Sequence, residues 1–381
     1  MTPQVRPLSS RHRTVAFILS ILLFVTLVPL LVFYAVGYRF DFTDKLHNIK
    51  SVGGLYISSE APDTAIYLDN KPVENMRIFQ RAAYIQNVNE GVHEVHVQGA
   101  GVTTWVKQLP VFAHFVTEAA SFNMPLVPQV RPITQYQTAT GTAVVWPDSQ
   151  LANILQSAST TATYFVASST KATSTYVANT EYTYVKGLFA STTVDRTILA
   201  ETAARQAEPF SFSDSTVYPT TTATSTVVLH DMELHRAGDD VYAEWLGAPD
   251  KTPYYFCVMP DEASTTAALY GPQVAAQVIG VDLSGTTTSS TYRANDRICR
   301  RQIRIDRKGQ DVKWFDFVPG NRDLVLMHLA DGVYVVEIDD RSWQNTQLLY
   351  PGKDLTMLVD GNTIYVKDGT AYLELYTELQ N

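Results

Sequence analysis

The chain has 381 residues, with 29 Lys and Arg against 38 Asp and Glu, a formal net charge of −9. So acidic a chain offers no basic face to displace phosphate counterions, which excludes nucleic acid as the main partner. With 21 Tyr and 16 Phe, and Thr and Val frequent throughout, the composition is that of strands, and the length suffices for two or three domains with their own cores.

Residues 1–13 read as a short cytoplasmic tail, with Arg6, Arg11 and Arg13 and no acidic residue. A transmembrane helix is predicted over 14–37, where Val15 to Val36 is an uncharged run of roughly 22 residues. As a helix such a run spans about 33 Å, enough to cross a hydrocarbon core of about 30 Å. A charge at mid-bilayer would cost roughly 3 kcal/mol, so a run this clean is under constraint. Arg39, Lys45 and Lys50 follow it, mixed with Asp41 and Asp44, so Lys/Arg counts tie across the span. The large downstream region breaks the tie, because long domains translocate largely regardless of charge. The expectation is a single-pass cell-membrane protein with its N-terminus cytoplasmic and its bulk extracytoplasmic.

Two alternatives stand beside the anchor. One is a cleaved signal peptide, with Ala35-Val36-Gly37 as a small-x-small site. Signal h-regions run about 7–15 residues, shorter than this one. The other is a buried core helix. Pro29 is tolerated in a membrane helix, and Tyr34, Tyr38 and Phe40 fit an interfacial aromatic belt. Residues 38–51 read as a linker.

From 52 to 128 short alternating strands take over. Leu55, Ile57, Ile66 and Leu68 fall on alternate positions, Asp69-Asn70-Lys71 is turn chemistry, and Val92, Val95 and Val97 supply a buried face after the Glu90-Gly91 turn. His93 and His96 lie three apart on one strand and so point to opposite faces, which argues against a shared metal.

This run resembles the PEGA domain, a small all-β module. The resemblance rests on a Gly-opened strand ending in Ser58-Ser59, a Pro62 turn, the stretch Ile66-Tyr67-Leu68-Asp69-Asn70-Lys71-Pro72-Val73, and Asn89-Glu90-Gly91-Val92-His93-Glu94-Val95-His96-Val97. Where the family has Pro-Glu-Gly-Ala, this chain keeps Glu90-Gly91 and departs at both flanks. The resemblance implies a β-sandwich spacer in an envelope protein and brings no active-site residue with it.

Between 134 and 226 about a third of the residues are Ser or Thr. Composition alone suggests a stalk. Proline is sparse, however, and apolar runs at Ala143–Trp146, Thr163–Ala167, Thr175–Ala178 and Tyr182–Val185 interrupt the polar ones. Ordered strands are expected over 142–185 and a looser connection over 190–226, with a turn or two of helix at Glu201–Gln206. This stretch either joins the next domain or links to it.

Residues 227–378 read as an antiparallel β-domain. Strand-like runs lead from Val241–Trp245 to Tyr254–Val258, then a Ser/Thr/Gly-rich insertion, then Cys299–Ile305. Pro319-Gly320-Asn321, Ala330-Asp331-Gly332, Asp360-Gly361-Asn362 and Asp368-Gly369 mark turns between the strands that follow. Trp314–Tyr350, through Phe317-Val318-Pro319-Gly320-Asn321-Arg322-Asp323-Leu324-Val325-Leu326 and Asp331-Gly332-Val333-Tyr334-Val335-Val336-Glu337-Ile338-Asp339, resembles β-propeller blades. At about 40 residues per blade, the roughly 245 residues from Thr134 would supply five or six irregular blades. A smaller separate sandwich is the rival. The fold class is therefore an all-β soluble part, a PEGA-like sandwich plus a larger propeller-like domain, behind one N-terminal helix. The whole order resembles membrane-anchored PEGA-domain proteins of candidate-phylum bacteria.

The candidate chemistry is thin. Cys257 and Cys299, the two cysteines of the chain, are expected to pair if the domain lies outside the membrane; two buried thiols are the alternative. Carboxylates gather at Glu337, Asp339 and Asp340, with Asp316 expected on an adjacent strand. A glycosidase needs two carboxylates about 5–9 Å apart across a cleft, and Glu337 and Asp339 share a strand face. Asp339-Asp340-Arg341 ends an apolar strand, however, and such endings read as solvated turns. Asp239, Asp240 and Asp331 read as turn residues, with Ca²⁺ left open. No cofactor is expected, since no phosphate-cradling Gly loop, Gly-x-Ser-x-Gly elbow or His-Glu-x-x-His occurs. Trp314, Phe315 and Phe317 read as core rather than as a sugar platform.

The sequence therefore points to an extracytoplasmic binding or scaffolding protein. Its expected partners are the lipid bilayer and cell-wall glycan, a surface-layer protein or another envelope protein. A membrane-anchored propeller hydrolase acting on envelope carbohydrate is the runner-up. A receptor-like sensor that signals through a partner is the third class.

Overall fold

The computed structural model describes residues 10–36, 38–41, 48–61, 63–73, 82–138, 176–191, 226–259, 263–278, 291–294 and 297–380. The strands expected at 143–146 and 163–167, the helical turns at 201–206 and most of the looser connection lie outside these residues.

Helix α1 (Ser10–Val36) is longer than the expected span and takes Arg11 and Arg13 into its first turns. Its stretch Ser10–Tyr34 is long and apolar enough to cross a membrane, and none of it is buried against the rest of the chain. That rules out the core-helix alternative. The Thr26 hydroxyl inside the run donates to Leu22 O (2.9 Å) and so has a partner within the helix.

The described residues of the expected linker, 38–41 and 48–51, are strand. β1 (Tyr38–Asp41) follows the helix directly and pairs with the start of β2 (Asn48–Ser59), Tyr38 opposite Ser51. After β2 come β3 (Ala65–Leu68), β4 (Lys71–Pro72), β5 (Ala82–Asn89), β6 (Gly91–Gln98), β7 (Trp105–Val111) and β8 (Val116–Ser121). They form two four-stranded sheets, one of β1, β2, β5 and β8, the other ordered β4-β3-β6-β7. β2 pairs antiparallel with β5 and parallel with β8. Along β8 exposed and buried residues alternate strictly, the period a half-buried strand requires. Gly53 is needed where β2 meets the 112–115 turn, since a Cβ there would lie 2.2 Å from Phe112 O.

β9 (Gln129–Ile133) leaves the sandwich and joins the far end of the molecule. β10 (Tyr136–Thr138) pairs with β11 (Tyr176–Ala178). The run Tyr182–Val185, expected as strand, is helical in α2 (Thr180–Ser191). Asn179 Oδ1 accepts from Glu181 N (3.0 Å) and caps its first turn. Tyr182, Val185, Leu188 and Phe189 recur at helical spacing and pack on one apolar cluster with Tyr365 and Tyr372.

β12 (Thr226–Leu229), β13 (Met232–Ala237) and β14 (Asp240–Trp245) form a meander, and β15 (Cys257–Val258) follows. The Ser/Thr-rich insertion then holds two short helices, α3 (Ala263–Tyr270) and α4 (Pro272–Val278). Val274 and Val278 of this helix pair bury against Val258 and Ile298. β16 (Thr291–Ala294), β17 (Arg297–Arg300) and β18 (Gln302–Ile305) return the chain to strand, and β18 completes the sheet β12-β13-β14-β18.

β19 (Trp314–Val318), β20 (Asn321–His328), β21 (Gly332–Glu337) and β22 (Thr346–Pro351) form the next sheet in sequence order. Every residue of β21 is buried, because both faces of the sheet are covered. Val333 and Val335 face one core, which also takes Leu55, Trp105 and Leu109 of the sandwich. Tyr334 and Val336 face a second core with Leu234, Ala243 and Ile303. Each such aliphatic side chain contributes roughly 1.5–3 kcal/mol on burial. Gly332 fits where a Cβ would meet Tyr350 O at 2.6 Å. β23 (Leu355–Asp360), β24 (Thr363–Asp368) and β25 (Ala371–Tyr376) form the last sheet, closed by β9 along Tyr372–Ile133 to Tyr376–Gln129. The described residues thus form a strand-rich body of five four-stranded sheets, with the small sheets β10-β11 and β15-β17-β16 beside them and no closed barrel or propeller among them.

Candidate functional site

The groups with the most unusual chemistry lie where the first sandwich meets β21 and the segment after it. Trp105, Lys107 and Leu109 share one phase of β7 and all three are fully buried. Lys107 Nζ donates to Glu337 Oε1 (2.6 Å), Asp339 O (2.6 Å) and Trp343 O (3.1 Å), and lies 3.6 Å from Asp339 Oδ2. Its three ammonium hydrogens therefore have three acceptors. Trp105 Nε1 donates to Glu337 Oε2 (3.0 Å). Asn345 supplies two further donors to Glu337 Oε1, its backbone N and its Nδ2, each at 2.8 Å.

Asp339 is held by Arg341 on the same segment, with Arg341 Nε donating to Oδ1 (3.0 Å) and Nη2 to Oδ2 (2.7 Å). Arg341 Nη2 also donates to Glu118 O on β8 (2.6 Å), and its guanidinium lies 4.8 Å from the centre of the Tyr254 ring. Burial pushes the Glu337 carboxyl up, with Lys107 opposing and Asp339 reinforcing that shift. Burial also acts upward on Asp339, but the Arg341 guanidinium and Lys107 ammonium outweigh it and hold that carboxyl down at about 2. Burial raises the Tyr254 phenol, which stays neutral.

A second pair sits beside the first. Arg300 grips Asp340 with two hydrogen bonds, Nη1 to Oδ2 (2.6 Å) and Nη2 to Oδ1 (2.7 Å), and Nη2 also donates to Tyr255 O (2.8 Å). Asp339, Asp340 and Arg341 are 7 %, 2 % and 4 % exposed, so the expected solvated turn is instead a buried anchor. Local sequence cannot reveal this, because the cations that neutralise the pair of aspartates come from elsewhere in the chain as well as from Arg341. Asp316 is not on the strand next to Glu337. β20 lies between β19 and β21, and Asp316 Oδ1 accepts from Phe317 N (2.8 Å).

Polar side chains extend the seam on both sides. Trp343 Nε1 donates to Val106 O (3.1 Å) and Ser342 Oγ to Gln108 O (2.7 Å). Gln347 bonds the backbone after β8 twice, accepting from Met124 N (2.7 Å) and donating to Phe122 O (3.1 Å). The cavity beside Glu337 and Asp339, walled by Tyr254, Tyr255 and Asp323, has a volume of about 20 Å³, room for about one water. A larger cleft of about 100 Å³ lies between Phe112, Phe115, Tyr270 and Arg297.

Cys257 and Cys299 stand opposite one another on β15 and β17 and are joined as a disulfide, S–S 2.06 Å. Phe315 and Phe317 lie in the second core and Trp314 packs against the first. Asp240 takes the Arg307 guanidinium (2.7 Å), and Asp331 accepts from the Tyr334 hydroxyl (3.0 Å). His93 contacts Asp69 (2.7 Å), and His96 contacts Glu94. No group of three or more His, Cys, Asp or Glu among the described residues is arranged to hold a metal ion.

Lys107, Arg300 and the seam residues Trp343, Asn345 and Gln347 were not singled out from sequence. One signal existed for Lys107: a lysine in the buried phase of an apolar strand requires a partner. Chemically, the arrangement sets three cations, Lys107, Arg300 and Arg341, against three carboxylates, Glu337, Asp339 and Asp340, in one buried seam and leaves no carboxylate oxygen of Glu337 without a donor. Comparison with protein-family models, with curated proteins and with solved structures finds no match.

Proposed function

We propose that this is a single-pass envelope protein whose extracytoplasmic β-body serves as a binding or scaffolding surface for cell-wall glycan, a surface-layer protein or another envelope protein. In this reading α1 is an uncleaved anchor with its N-terminus in the cytoplasm. The first sandwich is the PEGA-like spacer of the sequence resemblance. The later four-stranded sheets are blades of a propeller-like domain. Two features favour the blade reading: consecutive sheets share cores face to face, and β9 covers what would be an open edge of the last sheet.

The observation that carries the proposal is the union of an apolar helix whose stretch Ser10–Tyr34 has no part buried with a body whose conspicuous carboxylates are consumed by internal cations. The hydrolase alternative needs a cleft wide enough for a sugar between two carboxylates. The cavity at Glu337 and Asp339 has about 20 Å³, which favours the scaffold. The spacer is also better described as fused than hinged, since its core and its buried lysine are shared with the later sheets.

The test is retention of the full chain, in lipid nanodiscs, on isolated wall glycan, surface-layer and membrane-protein fractions. Retention on one of these supports the scaffold. Failure to bind any of them overturns it, and release of reducing sugar ends from the glycan would favour the hydrolase instead.

A further inference from the structure

The end of α1 touches the sandwich through an aromatic contact. Phe33, in the last turns of the helix, packs on Tyr38 with ring centres 5.5 Å apart. Tyr38 packs in turn on His114, at 5.0 Å. His114 sits in the turn between β7 and β8, so that turn lies at the exit of the membrane-spanning segment.

The turn is held stiffly. His114 N donates to Val52 O (3.0 Å), Gly54 N to Phe115 O (2.9 Å) and Phe115 N to Phe112 O (3.3 Å). The absence of a Cβ at Gly53 lets Phe112 O approach β2 closely. Phe112 packs inward on Tyr270, at 5.9 Å, but the apolar side chains that follow it face outward. Phe115 is 44 % exposed and Val116 42 %, and Val92, at the start of β6, is 39 % exposed. β6 and β7 are in register from Gly91 opposite Val111 and Val92 opposite Pro110, so Val92 belongs to the same end of the sandwich. A rigid corner showing Phe115 and Val116, with Val92 on a neighbouring strand, beside a helix exit has one neighbour of matching chemistry, the bilayer that the helix leaves.

We propose that the 112–116 corner is a second membrane contact, in which Phe115 and Val116, with Val92 beside them, enter the interfacial region of the bilayer and seat the sandwich on lipid. Aromatic and aliphatic side chains at headgroup depth gain burial without any backbone having to cross. The contact fixes the tilt of the β-body above the membrane, which a single helix leaves free. The inference rests on the anchor reading of α1.

The chain's two cysteines are joined to each other, so a new cysteine is a unique thiol. Phe115→Cys and Val116→Cys, spin-labelled in the full chain in vesicles of phosphatidylethanolamine and phosphatidylglycerol, report depth by comparing relaxation by oxygen and by a water-soluble nickel chelate. Leu126→Cys, 65 % exposed on the loop after β8, serves as the aqueous reference, and Phe24→Cys as the mid-helix reference. The oxygen-to-nickel ratio at 115 and 116 is expected severalfold above that at 126 and below that at 24. Ratios at 115 and 116 equal to that at 126, with 24 in lipid, overturn the corner contact and leave the anchor standing. An aqueous ratio at 24, or a mature chain lacking the helix, overturns the anchor and the corner contact together.

Discussion

Lys107 Nζ lies 2.6 Å from Glu337 Oε1 although 230 residues separate them, and the two side chains are 0 % and 4 % exposed. One comes from β7 of the first sandwich and the other is the last residue of β21. The pair therefore welds two regions that sequence reading treats as separate domains. Buried pairs of this kind contribute little net stability compared with apolar residues of the same shape, but removing one partner strands the other charge.

Lys107→Met should accordingly destabilise the full chain by about 3–5 kcal/mol, since Glu337 is left buried beside Asp339 with its main cation gone. Lys107→Met combined with Glu337→Gln should recover much of the loss. Denaturant titration in detergent micelles measures both. A single variant that unfolds at the wild-type midpoint would show that the seam contributes nothing to cohesion.

Acid should loosen the same seam. The folded Asp339 carboxyl sits at about 2, below its ordinary 3.8. Its contribution is present above its unfolded value and is lost as pH falls through about 2, worth on the order of 2 kcal/mol. Glu337 acts in the opposite sense: its raised value gives a contribution present at low pH that fades as pH rises through the folded value. Melting temperatures followed through the acid range should fall more steeply for the wild type than for Asp339→Asn. Parallel curves would exclude Asp339 as the group responsible.

The disulfide closes a loop across 42 positions that carries α3 and α4. In the chain-entropy model such a bond is worth about 4 kcal/mol. Reduction, or Cys257→Ser with Cys299→Ser, should release this excursion first, because what otherwise holds its described residues is the small cluster around Val258, Val274 and Ile298 and a few contacts such as Ser342 N to Tyr270 O (2.7 Å) and Arg300 Nη1 to Gln277 Oε1 (3.1 Å). Limited proteolysis should then cut between 259 and 298 much faster than in the oxidised chain. An unchanged digest would mean that the helices are held without the bond.

Arg131 ties three elements at the other end of the molecule. From β9 it reaches Glu374 on β25 (Nε to Oε2, 2.7 Å) and Glu181 on α2 (Nη1 to Oε2, 3.0 Å). Its partners raise its already high pKa further, so it stays charged at any accessible pH. The side chain is 44 % exposed, which limits Arg131→Ala to less than about 1 kcal/mol of global stability. The local effect should be larger. Amide exchange over 180–191 is expected to speed up while that over β24 does not, and equal exchange in both variants would assign the hold on α2 to its apolar face alone.

Short-range pattern made several elements readable. The helix of residues 15–36 follows from the absence of charge, and the β5, β6, β20, β21, β24 and β25 strands from alternation and Asp-Gly turns. The run at 182–185 was misread because four residues of Tyr, Thr and Val satisfy a strand, while the helical face became visible only with Leu188 and Phe189 included. α3 and α4 were hidden by Ser, Thr and Gly in the composition around them, and their stability comes from packing on β17.

By itself the sequence determined what is local: an apolar run long enough to span a bilayer, the strand-rich body after it, and many of its turns. Periodicity and turn chemistry act over a few residues, and they decide these without reference to the rest of the chain. Only the tertiary structure decided that the sandwich and the later sheets share one core, that β9 closes the last sheet, and that Asp339-Asp340-Arg341 is buried rather than solvated. Each of these depends on contacts between residues far apart in sequence. A charged residue becomes a buried lock only when a distant partner of opposite sign is brought within hydrogen-bond distance of it.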